Sequence, residues 1–253
     1  MRKPEVTTVY PDASLEDSRF GLKTSSTLAG WQTGVYFWHS NEIEGVLKIR
    51  GGVPAPGMPL YIDVTYPNQN VYGFYANKNF DFGVVRLDAA YRPSREYATS
   101  DYAKHKEGVV KKDFLKAQLC FNKDFMIRSL NPNATFSFIG EYVLDYFPES
   151  EMEDIHVATY FVPLHRDSHT IFLSLGTNYN FGMYSYGLTC IHNFLDGGNG
   201  LVSPSFTYAP DWMNRKWSFK LAYTAIYGPD YAYPYGLMKE KDLVVLTTQF
   251  SFP

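Results

Sequence analysis

The chain has 253 residues, and 23 Lys and Arg stand against 26 Asp and Glu for a formal net charge of −3. That balance leaves no global basic field for nucleic acid, and 45% apolar with 19% charged residues excludes a disordered chain. Two cysteines, Cys120 and Cys190, are too few for a disulfide scaffold or a cysteine-built metal site. The unusual quantity is the aromatic share, 17%, with 21 Tyr and 19 Phe. Tyrosine joins an apolar body to a polar tip, which suits a sheet surface or a water–lipid boundary better than a helical core.

Met1-Arg2-Lys3-Pro4-Glu5 opens on charges with no apolar run behind it, so no secretory signal of the usual form is expected. No stretch approaches eighteen uninterrupted apolar residues, which argues against a transmembrane helix. Residues 1–18 read as an N-terminal loop segment and 19–253 as antiparallel strands.

Helical periodicity is almost missing, while period-two alternation recurs throughout. In chain order the pattern predicts strands at 19–28, 31–40, 60–76, 82–92, 113–122, 133–147, 169–180, 183–194, 201–210, 217–227 and 241–252, roughly eleven in all. In the fourth, Val85, Leu87, Ala89 and Tyr91 oppose Arg86, Asp88 and Arg92. In the fifth, Leu115, Ala117, Leu119 and Phe121 oppose Lys116, Gln118 and Asn122. In the sixth, Phe136, Phe138, Tyr142, Leu144 and Tyr146 oppose Ser137, Glu141 and Asp145. The clearest is 217–227, where Trp217, Phe219, Leu221, Tyr223, Ala225 and Tyr227 share one face and Ser218, Lys220, Ala222 and Thr224 the other.

The connections alternate in character. Those near 29–30, 77–79, 180–182 and 211–215 are short, whereas 41–59, 97–112, 148–168 and 228–240 are longer and polar or rich in Gly and Pro. Short turns at one end, long loops at the other and strands of about ten residues are the pattern of an up-and-down transmembrane β-barrel. A soluble β-sandwich also alternates, but its strands are shorter and its polar face needs no tyrosines at the strand ends. Tyr146, Tyr179, Tyr184, Tyr186, Tyr208 and Tyr227 are therefore expected at the two membrane interfaces. Lys23, Arg86, Asp88, Arg92, Lys116, Glu141, Asp145 and Lys220 are expected to line the pore. There water removes the cost of burying charge, and opposite signs can pair across strands. On the bland reading, these charges merely solvate an exposed sheet face.

Other patterns carry less. His165 and His169 stand four apart, but Arg166 replaces the Glu of a zinc-protease helix and Asp167-Ser168 suggests a loop. No Gly-x-Ser-x-Gly elbow marks a nucleophile, and the Gly51–Gly57 segment lacks the Lys-Ser/Thr of a phosphate loop. Asn133-Ala134-Thr135 fits a glycosylation sequon, a pattern common by chance. No catalytic residue, metal or cofactor is expected.

From Asp196 onward the sequence has a loop, a descending strand through Ser205-Phe206-Thr207-Tyr208, a Trp-containing turn, the strand 216–227, and a closing strand ending Gln249-Phe250-Ser251-Phe252-Pro253. Asp17-Ser18-Arg19-Phe20-Gly21-Leu22-Lys23 precedes a Gly-containing turn and the aromatic strand Val35-Tyr36-Phe37-Trp38. This arrangement resembles the C-terminal part of the Gram-negative outer-membrane family catalogued as "domain of unknown function 1302". The resemblance implies an outer-membrane β-barrel with a transport role and no known catalytic residues. Pro253 departs from the terminal phenylalanine that such chains present to the barrel-insertion machinery.

The expected function is a porin-like channel or export component for a small or amphipathic solute, with outer-membrane lipid around it and no nucleic acid. The alternatives are a plugged structural or interaction barrel with partner-binding loops, and an outer-membrane hydrolase. Parity adds one expectation. Counting turns back from a periplasmic end at Phe250-Ser251-Phe252 puts residues 1–18 outside, whereas bacterial barrels hold both ends in the periplasm with an even strand number. The chain is thus expected to be the C-terminal fragment of a larger barrel, its sheet unclosed.

Overall fold

The computed structural model describes residues 5–11, 18–43, 45–51, 58–148, 155–157, 162–163, 165–213, 216–230, 232 and 234–251. The strands are β1 (Glu5–Val9), β2 (Phe20–Leu28), β3 (Trp31–Asn41), β4 (Val46–Ile49), β5 (Tyr61–Thr65), β6 (Asn68–Phe80), β7 (Gly83–Thr99) and β8 (Val109–Phe125). They continue as β9 (Phe136–Tyr146), β10 (Ile155–Val157), β11 (Val162–Pro163), β12 (Asp167–Tyr179), β13 (Tyr184–Asn193), β14 (Asn199–Tyr208), β15 (Trp217–Tyr227) and β16 (Leu243–Phe250). Among the described residues no helix is long and apolar enough to cross a membrane.

The chain is all-β. Eleven strands form one antiparallel path in the order β16-β15-β14-β13-β12-β9-β8-β7-β6-β3-β2, so each pairs with its sequence neighbour in the path. These are the eleven strands that alternation picks out. Among the described residues no pairing joins β2 to β16, and no closed barrel is formed. Both end strands are exposed along their whole length.

Several boundaries differ from the sequence pattern. Residues 5–9, read as loop, pair in parallel with Tyr61–Thr65, and β4 pairs antiparallel to β5 in a separate three-stranded sheet. Val6, Thr7, Thr8 and Val9 are β-branched and favour extended backbone, but five residues are too short for alternation to register. The predicted strand 60–76 divides into β5 and β6 at Pro67, which lacks an N–H for the ladder. The predicted loop 97–112 shrinks to 100–108 because β7 and β8 are each 17 residues long. Asp167 and Ser168 lie in β12, not in a loop. Two further short strands, β10 and β11, occupy part of the predicted loop 148–168, where β10 pairs with the end of β7.

The chain divides into two compact units. The first comprises Met1–Ala76, Asp88–Ala117 and Asp145–Asp167, and its buried centre is Tyr97, Phe114 and Phe147 with Val110 against them. The second comprises Asn77–Leu87, Gln118–Leu144 and Ser168–Pro253. A fully buried amide anchors its 126–135 connection. Asn131 Nδ2 donates to Thr177 Oγ1 (2.9 Å) and to the Asn178 carbonyl (2.7 Å), while its Oδ1 accepts from the N–H groups of Asn133 and Ala134 (each 3.2 Å).

Candidate functional site: the two faces of the sheet

Strand register fixes which side chains share a face, because directly paired residues point the same way. In the second unit one row runs Tyr179–Tyr184–Tyr208–Phe219, and the next runs Thr177–Tyr186–Phe206–Leu221–Leu246. Leu175 is opposite Leu188, and Leu173 is opposite Cys190, which faces Val202. These rows make an apolar face that is largely open: Leu173, Tyr186, Leu188, Leu221, Tyr223 and Leu246 are all exposed. In the first unit one face carries Leu22, Val35, Phe37, Tyr72, Phe74 and Leu115, which line a groove of about 510 Å³.

The other face of the second unit is mostly small and polar in its rows nearest the short turns. One row runs Asn178–Ser185–Thr207–Lys220–Thr247 and another Gly176–Gly187–Ser205–Ala222–Val245. Ser203 Oγ and Thr224 Oγ1 hydrogen-bond at 2.9 Å on this face, beside Pro204, which lacks an N–H for the ladder. Two turns nearer the long loops, the same face changes to an unbroken apolar row: Phe172–Ile191–Leu201–Ile226.

In the first unit the polar face is aromatic and cationic. Lys23 is paired in register with Tyr36, and its Nζ lies 4.3 Å from the Tyr75 ring centroid. The Tyr36 ring lies over Gly73, where a Cβ would sit 1.9 Å from it, so only glycine admits the ring. Further along, Arg92 and Arg95 both place their guanidinium groups over Phe114, at 5.9 and 5.7 Å. Residues three apart on a regular strand face opposite ways. The extra residue is Ser94, with φ 51, whose N–H donates to Asp113 Oδ1 (2.9 Å) while Tyr91 donates its hydroxyl to Oδ2. This bulge puts Arg95 and Tyr97 back on the polar face.

The eight charges read as one polar set therefore have different surroundings. Lys116 and Asp145 pair at 3.3 Å, and Glu141 accepts from Gln118 Nε2 at 3.1 Å. Arg92 and Lys23 contact rings. Arg86, Asp88 and Lys220 are exposed and pair with no described residue.

The six tyrosines lie at two levels of the apolar face. Tyr179, Tyr184 and Tyr208 share the row next to the short turns, with Tyr184 and Tyr208 stacked at 5.4 Å, and Tyr186 follows one row in. At the long-loop end Tyr227 hydrogen-bonds His192 Nδ1 (2.9 Å), and the Tyr146 hydroxyl accepts from Arg166 Nη2 (3.2 Å).

The most buried ionic contact among the described residues was not legible in the sequence. Arg95 Nε donates to Glu42 Oε1 at 2.6 Å, and Arg95 Nη1 donates to the Tyr97 hydroxyl at 3.3 Å. Glu42 sits just after β3 in a predicted loop, and the one signal that could have pointed to the change of phase is Pro93 inside a strand. In the three-stranded sheet Arg50 binds Asp63 through both carboxylate oxygens, which raises the Arg50 pKa and holds Asp63 below the ordinary carboxylate value. His169 hydrogen-bonds the Tyr142 hydroxyl, and among the described residues no group of three His, Cys, Asp or Glu could hold a metal ion. Most of the Gly51–Gly57 segment lies outside the described residues, as do Asp17, Phe252 and Pro253.

No protein-family model, curated protein or solved structure matches the chain.

Proposed function

We propose that these strands are the wall of a β-barrel in the outer membrane of a Gram-negative cell. Its apolar face meets lipid, and its polar face lines a water-filled passage for a small or amphipathic solute. The supporting observation is the inversion of the usual burial pattern. The side chains left open are Leu22, Leu119, Leu173, Leu188, Leu221 and Leu246, while the face opposite Leu188, Leu221 and Leu246 carries mostly Ser, Thr and Gly, with Asn178, Lys220, Ala222 and Val245 among them. Water-soluble proteins rarely expose a contiguous apolar patch beyond a few hundred Å². A barrel in lipid requires one. The tyrosine levels at both strand ends fit the two interfaces, and the similarity to the "domain of unknown function 1302" family belongs to this reading.

Eleven alternating strands leave β2 and β16 running in the same direction. Closure by antiparallel pairing then takes an odd number of further strands between them, so we read the sheet as part of a larger barrel. The barrel-insertion machinery would assemble it, and no catalytic group or cofactor enters the mechanism, which is diffusion through a polar lumen gated by the longer loops.

A second reading, a plugged barrel that binds partners through its loops, is favoured by the apolar row Phe172–Ile191–Leu201–Ile226 and the buried Tyr97–Phe114–Phe147 cluster on the otherwise polar face. Such apolar constrictions can stop conduction by dewetting. Planar-bilayer recording of folded protein distinguishes the two. Steady current supports the passage, and silence from protein shown to be folded by its heat-modifiable gel migration supports the plug.

A further inference from the structure

On the polar face of the first unit, Arg92 lacks the polar partners that Arg95 and Lys116 have. Arg95 is held by Glu42 and Tyr97, and Lys116 by Asp145. Arg92 is half-buried beside the Phe114 ring, yet its guanidinium makes no hydrogen bond or ion pair with any described residue, and its Nε is shielded from solvent. Asp88, the acid on the same face of the same strand, is four residues away. That is about 13 Å along an extended chain and out of reach. On β6, next to β7 in the sheet, Gln69 Oε1 is also buried and has no donor. A further cation on this face, Lys23, rests on the Tyr75 ring without an acidic partner.

Folded proteins seldom leave a buried guanidinium N–H without an acceptor, and an orphaned donor marks the place of an ion, a ligand or ordered water. Among the described strand residues on the first unit's polar face, Arg92 offers a planar fork without a hydrogen-bond partner, half-buried where Arg86 of the second unit is exposed. That fork matches a carboxylate or a phosphate, which it can hold through two parallel bonds. Phe114 supplies a wall that excludes water from one side and strengthens the contact.

We propose that Arg92 is the centre of an oxyanion site on the polar face of the first unit. The solute presents a carboxylate or phosphate oxygen to the guanidinium and an N–H or O–H to Gln69 Oε1. This rests on reading the polar face as the solute-facing one, and it names the solute class as a small oxyanion that also carries a hydrogen-bond donor.

The test is equilibrium binding to the whole folded chain in zwitterionic detergent at low salt. Glycolate and inorganic phosphate serve as separate probes, and tetramethylammonium is the cationic control. Saturable binding of glycolate, of phosphate or of both identifies which oxyanion fits, and no binding of the cation is expected. Arg92→Gln should weaken the bound anion at least tenfold, Arg92→Lys should weaken it less, and Gln69→Leu should weaken it while leaving its charge dependence intact. Lys116→Gln, which alters a neutralised pair, should change it less than twofold. Absence of saturable binding by the folded wild-type protein overturns the site, as does unchanged binding in Arg92→Gln. If Arg92→Gln does not fold, unchanged binding in Arg92→Lys together with Gln69→Leu overturns it. Because the readout is binding, a chain that carries no current can still possess the site, and a conducting chain can lack it.

Discussion

The Arg95 guanidinium reaches back 53 residues to Glu42, donating at 2.6 Å to one carboxylate oxygen and at 3.4 Å to the other. Glu42 is 4% exposed and the Arg95 side chain 17%, so the pair ties the end of β3 to the bulged part of β7 with little water around it. Removing Glu42 takes its carboxylate from a guanidinium that has little water around it. Glu42→Ala is expected to lower stability by about 3 kcal/mol, whereas the double change Glu42→Leu with Arg95→Met should recover most of that loss. Urea unfolding of the detergent- or bilayer-folded protein measures both. A double variant as unstable as the single one would mean that packing, not loss of the charge pair, sets the cost.

The facing of β15 yields a paired prediction. Leu221 lies on the apolar face between Phe206 and Leu246, and Ser218 lies on the other face opposite Gln249. Leu221→Arg is expected to impair folding into bilayers by roughly 2–4 kcal/mol for a site near the midplane. Ser218→Arg should fold normally. Equal tolerance of the two changes would remove the lipid-facing assignment of 217–227.

Asn131 uses both ends of its amide while fully buried. Asn131→Ala leaves the buried Thr177 hydroxyl without its donor, at a cost of about 1–3 kcal/mol, while the backbone groups of Asn133, Ala134 and Asn178 can turn to water. The loss should appear as faster hydrogen exchange at Asn133 and Ala134 and a lower unfolding midpoint, with Asn131→Asp recovering the N–H contacts only. Unchanged exchange at both amides would show that the turn holds without the side chain.

The Arg50–Asp63 pair predicts a pH response of the three-stranded sheet. Arg50 depresses the Asp63 pKa in the folded chain, so the pair's contribution is fully present above the unfolded carboxylate value of about 3.9 and is lost as pH falls through the lower folded value. The protection factors of residues 61–65 against hydrogen exchange should therefore fall on acidification below about pH 4, and Asp63→Asn should flatten that dependence. Because the pair is solvent-exposed, the effect should shrink with added salt. A profile identical in wild type and Asp63→Asn would assign the acid response to other groups.

Leu221, Tyr186 and Lys220 show what sequence can determine by itself. A strand's side chains alternate strictly, so composition at every second position sorts the chain into an apolar and a polar set before any contact is known. The eleven-strand path, its order and the facing of 217–227 follow from that local rule together with turn lengths, because antiparallel neighbours joined by short turns leave few other arrangements. Arg95, Glu42 and Asn131 show what only the tertiary structure decided. The Ser94 bulge shifts the alternation by one residue, and no local pattern announces where such a shift falls. The Arg95–Glu42 pair and the Asn131–Thr177 bond span 53 and 46 residues, and a contact between distant segments depends on register and loop path, not on spacing. The apolar row Phe172–Ile191–Leu201–Ile226 is equally hidden. Each member is a single apolar residue within a polar face, and only cross-strand pairing aligns the four into one row.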